Sequence, residues 1–137
     1  MDQPIAEGVA AMRTVRCYLV EDSPVIRQNL IAALEEMLPL TIVGSTDTEA
    51  GAVQWMLEPE ADCELMIIDI FLRAGSGLEV LRRARLLKPD THLVVLTNYA
   101  TPDMRRRCLQ LGADRVFDKS AELEDLFGYC EELSRGD

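Results

Sequence analysis

Histidine is almost missing from this 137-residue chain, which has His92 alone, and its four cysteines, Cys17, Cys63, Cys108 and Cys130, form no Cys-x-x-Cys pair. A zinc centre draws on such clusters and is therefore not expected. Four reduced thiols in a cytoplasmic protein are expected instead. Positive charge is also scarce: 14 Lys and Arg against 24 Asp and Glu give a formal net charge of −10. That balance argues against direct binding of nucleic acid or an anionic membrane, because both need a basic surface to meet phosphate. Residues 1–14 lack the basic start and long apolar core of a signal peptide or membrane span, and Pro4 and Gly8 suggest a loose tail. No internal repeat or low-complexity segment interrupts residues 15–137.

What the chain does have is 48% apolar residues, enough for one working core over residues 15–137. Its most telling stretch is Leu65-Met66-Ile67-Ile68-Asp69-Ile70-Phe71-Leu72-Arg73-Ala74-Gly75-Ser76-Gly77. An apolar run too short for a typical helix ends in one carboxylate, then passes through small residues into a helical pattern. A buried parallel strand opening onto a site reads this way, which puts Asp69 at a strand's carboxyl end.

The rest of the chain repeats the alternation. Val15 to Val20 reads as a strand ending in Glu21-Asp22. Ser23-Pro24 then reads as an N-cap and first helical residue, with Ile26, Leu30, Ala33 and Met37 at helical spacing until Pro39. Leu40 to Gly44 is a short strand. Thr46 with Glu49 resembles a capping box that opens a helix to about Leu57, followed by an acidic loop from Glu58 to Glu64. After the Asp69 strand, Leu78, Leu81, Ala84 and Leu87 predict the inner face of a third helix, with Arg82, Arg83 and Arg85 toward solvent. His92 to Leu96 is a fourth strand, finishing in Thr97-Asn98-Tyr99. Thr101-Pro102-Asp103 starts a fourth helix with Met104, Cys108 and Leu111 inward, until Gly112. Arg115 to Phe117 is a fifth strand leading to Asp118-Lys119, and Ser120 is the expected cap of a last helix that buries Leu123, Leu126, Phe127, Cys130 and Leu133.

Strand and helix alternating in this way predict an α/β domain, a parallel sheet with helices on both faces. In such sheets ligands lie beyond the carboxyl ends of the strands. Glu21, Asp22, Asp69, Thr97 and Lys119 should therefore share one crevice. Three carboxylates together repel one another and call for a cation. A hard divalent ion such as Mg2+ suits oxygen donors and also phosphate oxygens. Lys119 and Thr97 are the groups that would neutralise a phosphoryl group, and Asp69 is the natural nucleophile for one.

In this order and spacing the residues resemble the receiver domains of bacterial two-component response regulators, from Val15 to Leu133. The matching residues are Glu21-Asp22 for the acidic metal-binding pair, Asp69 for the phosphoacceptor, Gly77 eight positions later, Thr97 for the switch hydroxyl and Lys119 for the lysine. The resemblance implies a flavodoxin-like (βα)5 doubly wound parallel sheet of strand order 2-1-3-4-5. It also implies Mg2+ bound by Glu21, Asp22, Asp69 and the backbone carbonyl of Phe71. The expected function is acceptance of a phosphoryl group from a sensor histidine kinase or histidine phosphotransfer protein, not enzymatic turnover of a substrate.

Three positions depart from the family pattern: Arg73 stands where proline is usual, Ser120 replaces the proline after the lysine, and Val116 replaces an aromatic switch residue. Phe71 and Tyr99 would flank the phosphoryl group and slow its hydrolysis. The chain is expected to be a stand-alone receiver whose output surface, formed by the fourth helix, fifth strand and fifth helix, meets a downstream protein. Arg105, Arg106 and Arg107 on the fourth helix, facing acids on the fifth, would also allow a homodimer. A degenerate receiver that binds partners without phosphorylation is the alternative. A haloacid-dehalogenase-type phosphatase expects a second acid where Phe71 stands, and a flavodoxin-like cofactor binder expects a phosphate loop where Glu21-Asp22-Ser23-Pro24 stands.

Overall fold

The computed structural model describes residues 13–136, so most of the expected tail, residues 1–12, lies outside the described residues. Five strands form one parallel sheet: β1 (Val15–Val20), β2 (Leu40–Thr46), β3 (Leu65–Ile68), β4 (His92–Thr97) and β5 (Arg115–Asp118), in the order β2-β1-β3-β4-β5. The helices between and after them are α1 (Pro24–Met37), α2 (Glu49–Met56), α3 (Gly77–Leu87), α4 (Pro102–Gln110) and α5 (Leu123–Ser134). This is the expected doubly wound architecture.

The apolar run of β3 is buried along its whole length because it serves two cores. Leu65 and Ile67 point with Cys17, Leu19, Val94 and Phe117 toward α1 and α5, where Leu34, Leu126 and Cys130 cover them. Met66 and Ile68 point with Tyr18, Val20 and Val95 toward α2, α3 and α4, against Met56, Leu81 and Cys108. Successive strand residues face opposite sides, so an uninterrupted apolar strand is what a sheet covered on both faces requires.

Local chemistry sets the helix starts. Ser23 caps α1, accepting the Ile26 N–H, and Pro24 follows as expected. At α2 the cap is Thr48, which accepts the Gly51 N–H at 3.0 Å, and not Thr46. Thr46 is the last residue of β2, which runs two residues past Gly44 alongside β1. Ser120 does not cap α5: Glu122 holds the N-cap position and makes no side-chain cap bond. The buried stripe of α1 is Leu30 and Leu34, with Leu38 at its end, whereas Ile26 and Met37 are exposed. On α3, Val80, Leu81 and Ala84 are buried and Leu87 is exposed. Arg85 turns away from solvent and donates to the Gly112 and Pro89 carbonyls, bracing the turn before β5.

All four cysteines are free and buried. Burial pushes Cys17 well above the ordinary thiol value, Cys63 up to about 11 and Cys130 up to about 12, and raises Cys108 as well. A raised thiol value leaves little thiolate at pH 8, and the thiolate is the reactive species. The folded protein is therefore expected to react negligibly with an aromatic disulfide reagent at pH 8, and the denatured chain with all four thiols. Rapid labelling of any one in the folded state would contradict this burial.

Candidate functional site

The carboxyl ends of β1, β3 and β5 bring Glu21, Asp69 and Lys119 together. Lys119 Nζ lies 2.8 Å from Glu21 Oε1 and 3.0 Å from Asp69 Oδ2. The group is largely dry, with Glu21 2% and Asp69 7% exposed. Burial pushes the Asp69 carboxyl above its usual range, with the Lys119 ammonium opposing and the Glu21 carboxylate adding to the rise. Burial alone would lower Lys119, but its bonds to Glu21 and Asp69 outweigh this and hold it above the ordinary lysine value. Glu21 uses its second oxygen to accept the Ser23 N–H at 3.0 Å, which ties the site to the start of α1.

A cleft of about 200 Å3 opens over this group, lined by Glu21, Asp22, Asp69, Phe71, Tyr99 and Lys119 among others. Asp22 Oδ1 is buried there without a hydrogen-bond partner. An orphaned carboxylate oxygen carries its full desolvation cost, so a cation beside it would relieve an existing penalty. No three His, Cys, Asp or Glu side chains among the described residues form a ready-made metal cage. Mg2+ commonly takes one or two carboxylates and keeps several waters, so Asp22 beside Asp69 fits it.

Thr97 stands apart from the cleft lining. It is fully buried at the end of β4, and its hydroxyl accepts the Tyr99 N–H at 3.1 Å. Asn98, for which the sequence predicts no role, does line the cleft and accepts a hydrogen bond from the Ser120 hydroxyl at 3.3 Å. Its one sequence signal is its place next to Thr97. The Phe71 and Tyr99 rings meet edge-on with centroids 4.6 Å apart at the cleft's rim.

The loop from Asp69 to α3 is held on several sides. Arg73, in place of a rigid proline, forms an ion pair with Asp47 at 3.0 Å. The Ser76 N–H donates to Glu49 Oε1 at 2.9 Å, and the Glu49 N–H donates to the Ala74 carbonyl at 3.0 Å. Gly75 adopts φ 86°, a conformation that glycine takes without strain. The loop therefore leans on the start of α2.

On the opposite side of the site, Arg105 does not face outward with its neighbours. Its guanidinium donates to the Ala100 and Val116 carbonyls at 2.9 and 3.1 Å and to Glu122 at 2.8 Å. It thus bridges α4, β5 and the start of α5, which removes one charge from the basic face expected on α4.

Residues 17–131 match the response regulator receiver domain family. A Pseudomonas aeruginosa protein provisionally named as a transcriptional regulator is 38% identical over 111 residues, covering 81% of this chain and 52% of its own length. The chain spans about half the length of the curated relatives it matches. A LuxR-family two-component response regulator from an Aurantimonas species superposes with TM-score 0.79 at 21% identity, covering 90% of this chain and 86% of that one. A Burkholderia pseudomallei response regulator, whose structure has a phosphorylated aspartic acid, calcium ion and citrate, superposes with TM-score 0.72 at 21% identity, covering 89% of this chain and 69% of that one. No helix among the described residues is long and apolar enough to cross a membrane. On this match, the chain belongs to the response regulator receiver domain family, the signalling modules of two-component systems.

Proposed function

We propose that this protein works in phosphorelay signalling by accepting a phosphoryl group on Asp69 from a phosphohistidine of a sensor histidine kinase or histidine phosphotransfer protein. The observation that carries this is the partly buried ammonium of Lys119, shared by the buried carboxylates of Glu21 and Asp69, beside the unpartnered oxygen of Asp22. An Asp69 oxygen forms the new bond to phosphorus as the bond to the donor's histidine nitrogen breaks, and that nitrogen keeps the electron pair. Lys119 meets the charge gathering on the phosphoryl oxygens, which is the main demand of phosphoryl transfer. Mg2+, held by Asp22, Asp69 and the Phe71 carbonyl with Glu21 behind them, would supply further charge compensation.

Thr97 supports the switch. Its hydroxyl oxygen accepts from Tyr99, so its own proton stays available to a phosphoryl oxygen. Closure of Thr97 and the β4–α4 loop on the new dianion shifts the population toward an active form. Arg105, joining α4 to β5 and α5, carries that shift to the α4-β5-α5 surface, where a downstream protein docks. An apolar cleft of about 410 Å3 beside the site, between α1 and the start of α5, shares Asn98 and Lys119 with it and gives the donor a docking place. Four unpaired thiols suit a cytoplasmic setting.

Incubation with Mg2+ and a small acyl phosphate, followed by intact mass, is expected to show one base-labile phosphate adduct that is lost in Asp69→Asn and without the metal. An intact protein that never gains the adduct would instead leave a phosphorylation-independent binding module. The paired rings of Phe71 and Tyr99 at the rim crowd the path of a hydrolytic water. The phosphorylated form should be comparatively long-lived, and Phe71→Ala with Tyr99→Ala should speed loss of the label about tenfold, a barrier change of about 1.4 kcal/mol. Equal decay in both proteins would remove the rings from that role.

A further inference from the structure

A groove of about 440 Å3 lies between the loop after β3 and α4, lined by Phe71, Leu72, Leu78, Met104 and Arg107 among others. Leu72, Leu78 and Met104 are partly buried side chains packed on the core beneath, so the groove has an apolar floor. Arg107 is its charged wall. The neighbouring arginines are already paired, Arg73 with Asp47, Arg105 with Glu122 and Arg106 with Asp103. Exposed Arg107 has no carboxylate within ion-pair distance among the described residues.

An apolar floor beside one unpaired cation suits an apolar protein segment carrying an acid. We infer that this groove docks such a segment of a partner protein, with a carboxylate meeting Arg107, and that phosphorylation of Asp69 changes its occupancy through Phe71. A second copy or an anionic membrane is disfavoured as occupant, because the chain carries a net charge of −10 and repels both at long range. The coupling to phosphorylation rests on the function proposed above. Phe71 lines both the site cleft and the groove, and its ring touches Tyr99, whose N–H is bonded to Thr97. A movement of Thr97 onto a phosphoryl group therefore moves the groove's rim.

The test uses a displayed library of random peptides, selected on the full chain treated with acyl phosphate and Mg2+, with intact mass recording phosphorylation of each sample. Enriched peptides are expected to combine aliphatic residues with Asp or Glu. The best synthetic peptide should bind Arg107→Glu about tenfold more weakly, a coupling of about 1.4 kcal/mol, and Arg106→Glu as well as the parent. Replacing the peptide's acid by lysine should restore binding to Arg107→Glu. Failure to enrich any peptide, enrichment without acids, or equal binding to Arg107→Glu overturns the docking site. Self-association abolished by Arg107→Glu in sedimentation overturns the choice of occupant. Equal affinity for fully phosphorylated and unphosphorylated protein overturns the coupling alone. An absent phosphate adduct overturns the proposed function and the coupling with it, while peptide binding still reads the docking site.

Discussion

Gly77→Ala is expected to lower the melting temperature by about 10 °C and to slow acyl-phosphate labelling of Asp69 severely. Gly77 opens α3, and a Cβ built on it would lie 1.9 Å from the Asp69 carbonyl oxygen and 2.7 Å from the Ile70 Cα. Those neighbours are backbone and cannot rotate aside. The Gly77 N–H also donates to the Ile70 carbonyl at 2.8 Å, so the two segments are pinned face to face. Relief requires the turn after β3 to shift away from α3, and overpacking of this kind costs about 3 kcal/mol, which sets the size of the melting shift. Trp55, the lone tryptophan, stacks on Tyr18 at 4.0 Å and gives the fluorescence signal for the melt. An alanine variant that melts and labels like the parent would show that the turn yields freely.

Lys119→Met should destabilise the fold by about 3–5 kcal/mol, because it leaves Glu21 and Asp69 buried with no cation between them. The same substitution should abolish the phosphate adduct. Two further measurements separate lost charge from lost packing. Glu21→Gln added to Lys119→Met should recover part of the stability, a coupling that a double-mutant cycle reads directly. Millimolar Mg2+ should also raise the variant's melting temperature more than the parent's, since a ligand that binds only the native state stabilises it. Melting unchanged from the parent would mean that the carboxylates find other relief.

The strand ends are the legible part of this chain. Asp69 follows an apolar run that only a doubly covered strand explains, and Glu21, Asp22 and Lys119 follow strands of the same sheet, so parallel topology alone brings them together. The helix faces are less legible. Around Ile26 to Leu38 apolar residues fall on two adjacent stripes, and which one meets the sheet depends on the crossing of α1, a tertiary property. Thr46 and Thr48 could each serve as a cap, and the choice is made by how far β2 stays paired with β1. Arginines mislead for a related reason. Arg85 and Arg105 look like solvent residues in a helical pattern, yet their long side chains reach carbonyls that belong to other segments.

The start of α5 is built differently from those of the other four helices. The other helices begin with a hydroxyl side chain accepting a backbone N–H, whereas the Glu122 carboxylate accepts from the Asp118 backbone N–H and the Arg105 guanidinium and leaves the first turn of α5 without such a bond. Local opening is least costly where end amides lack partners. In hydrogen–deuterium exchange, Leu123 to Asp125 should therefore lose protection before the starts of the other helices. Because Glu122 is bonded to the strand residue preceding Lys119, exchange at that turn should change when acyl phosphate and Mg2+ act on the proposed site.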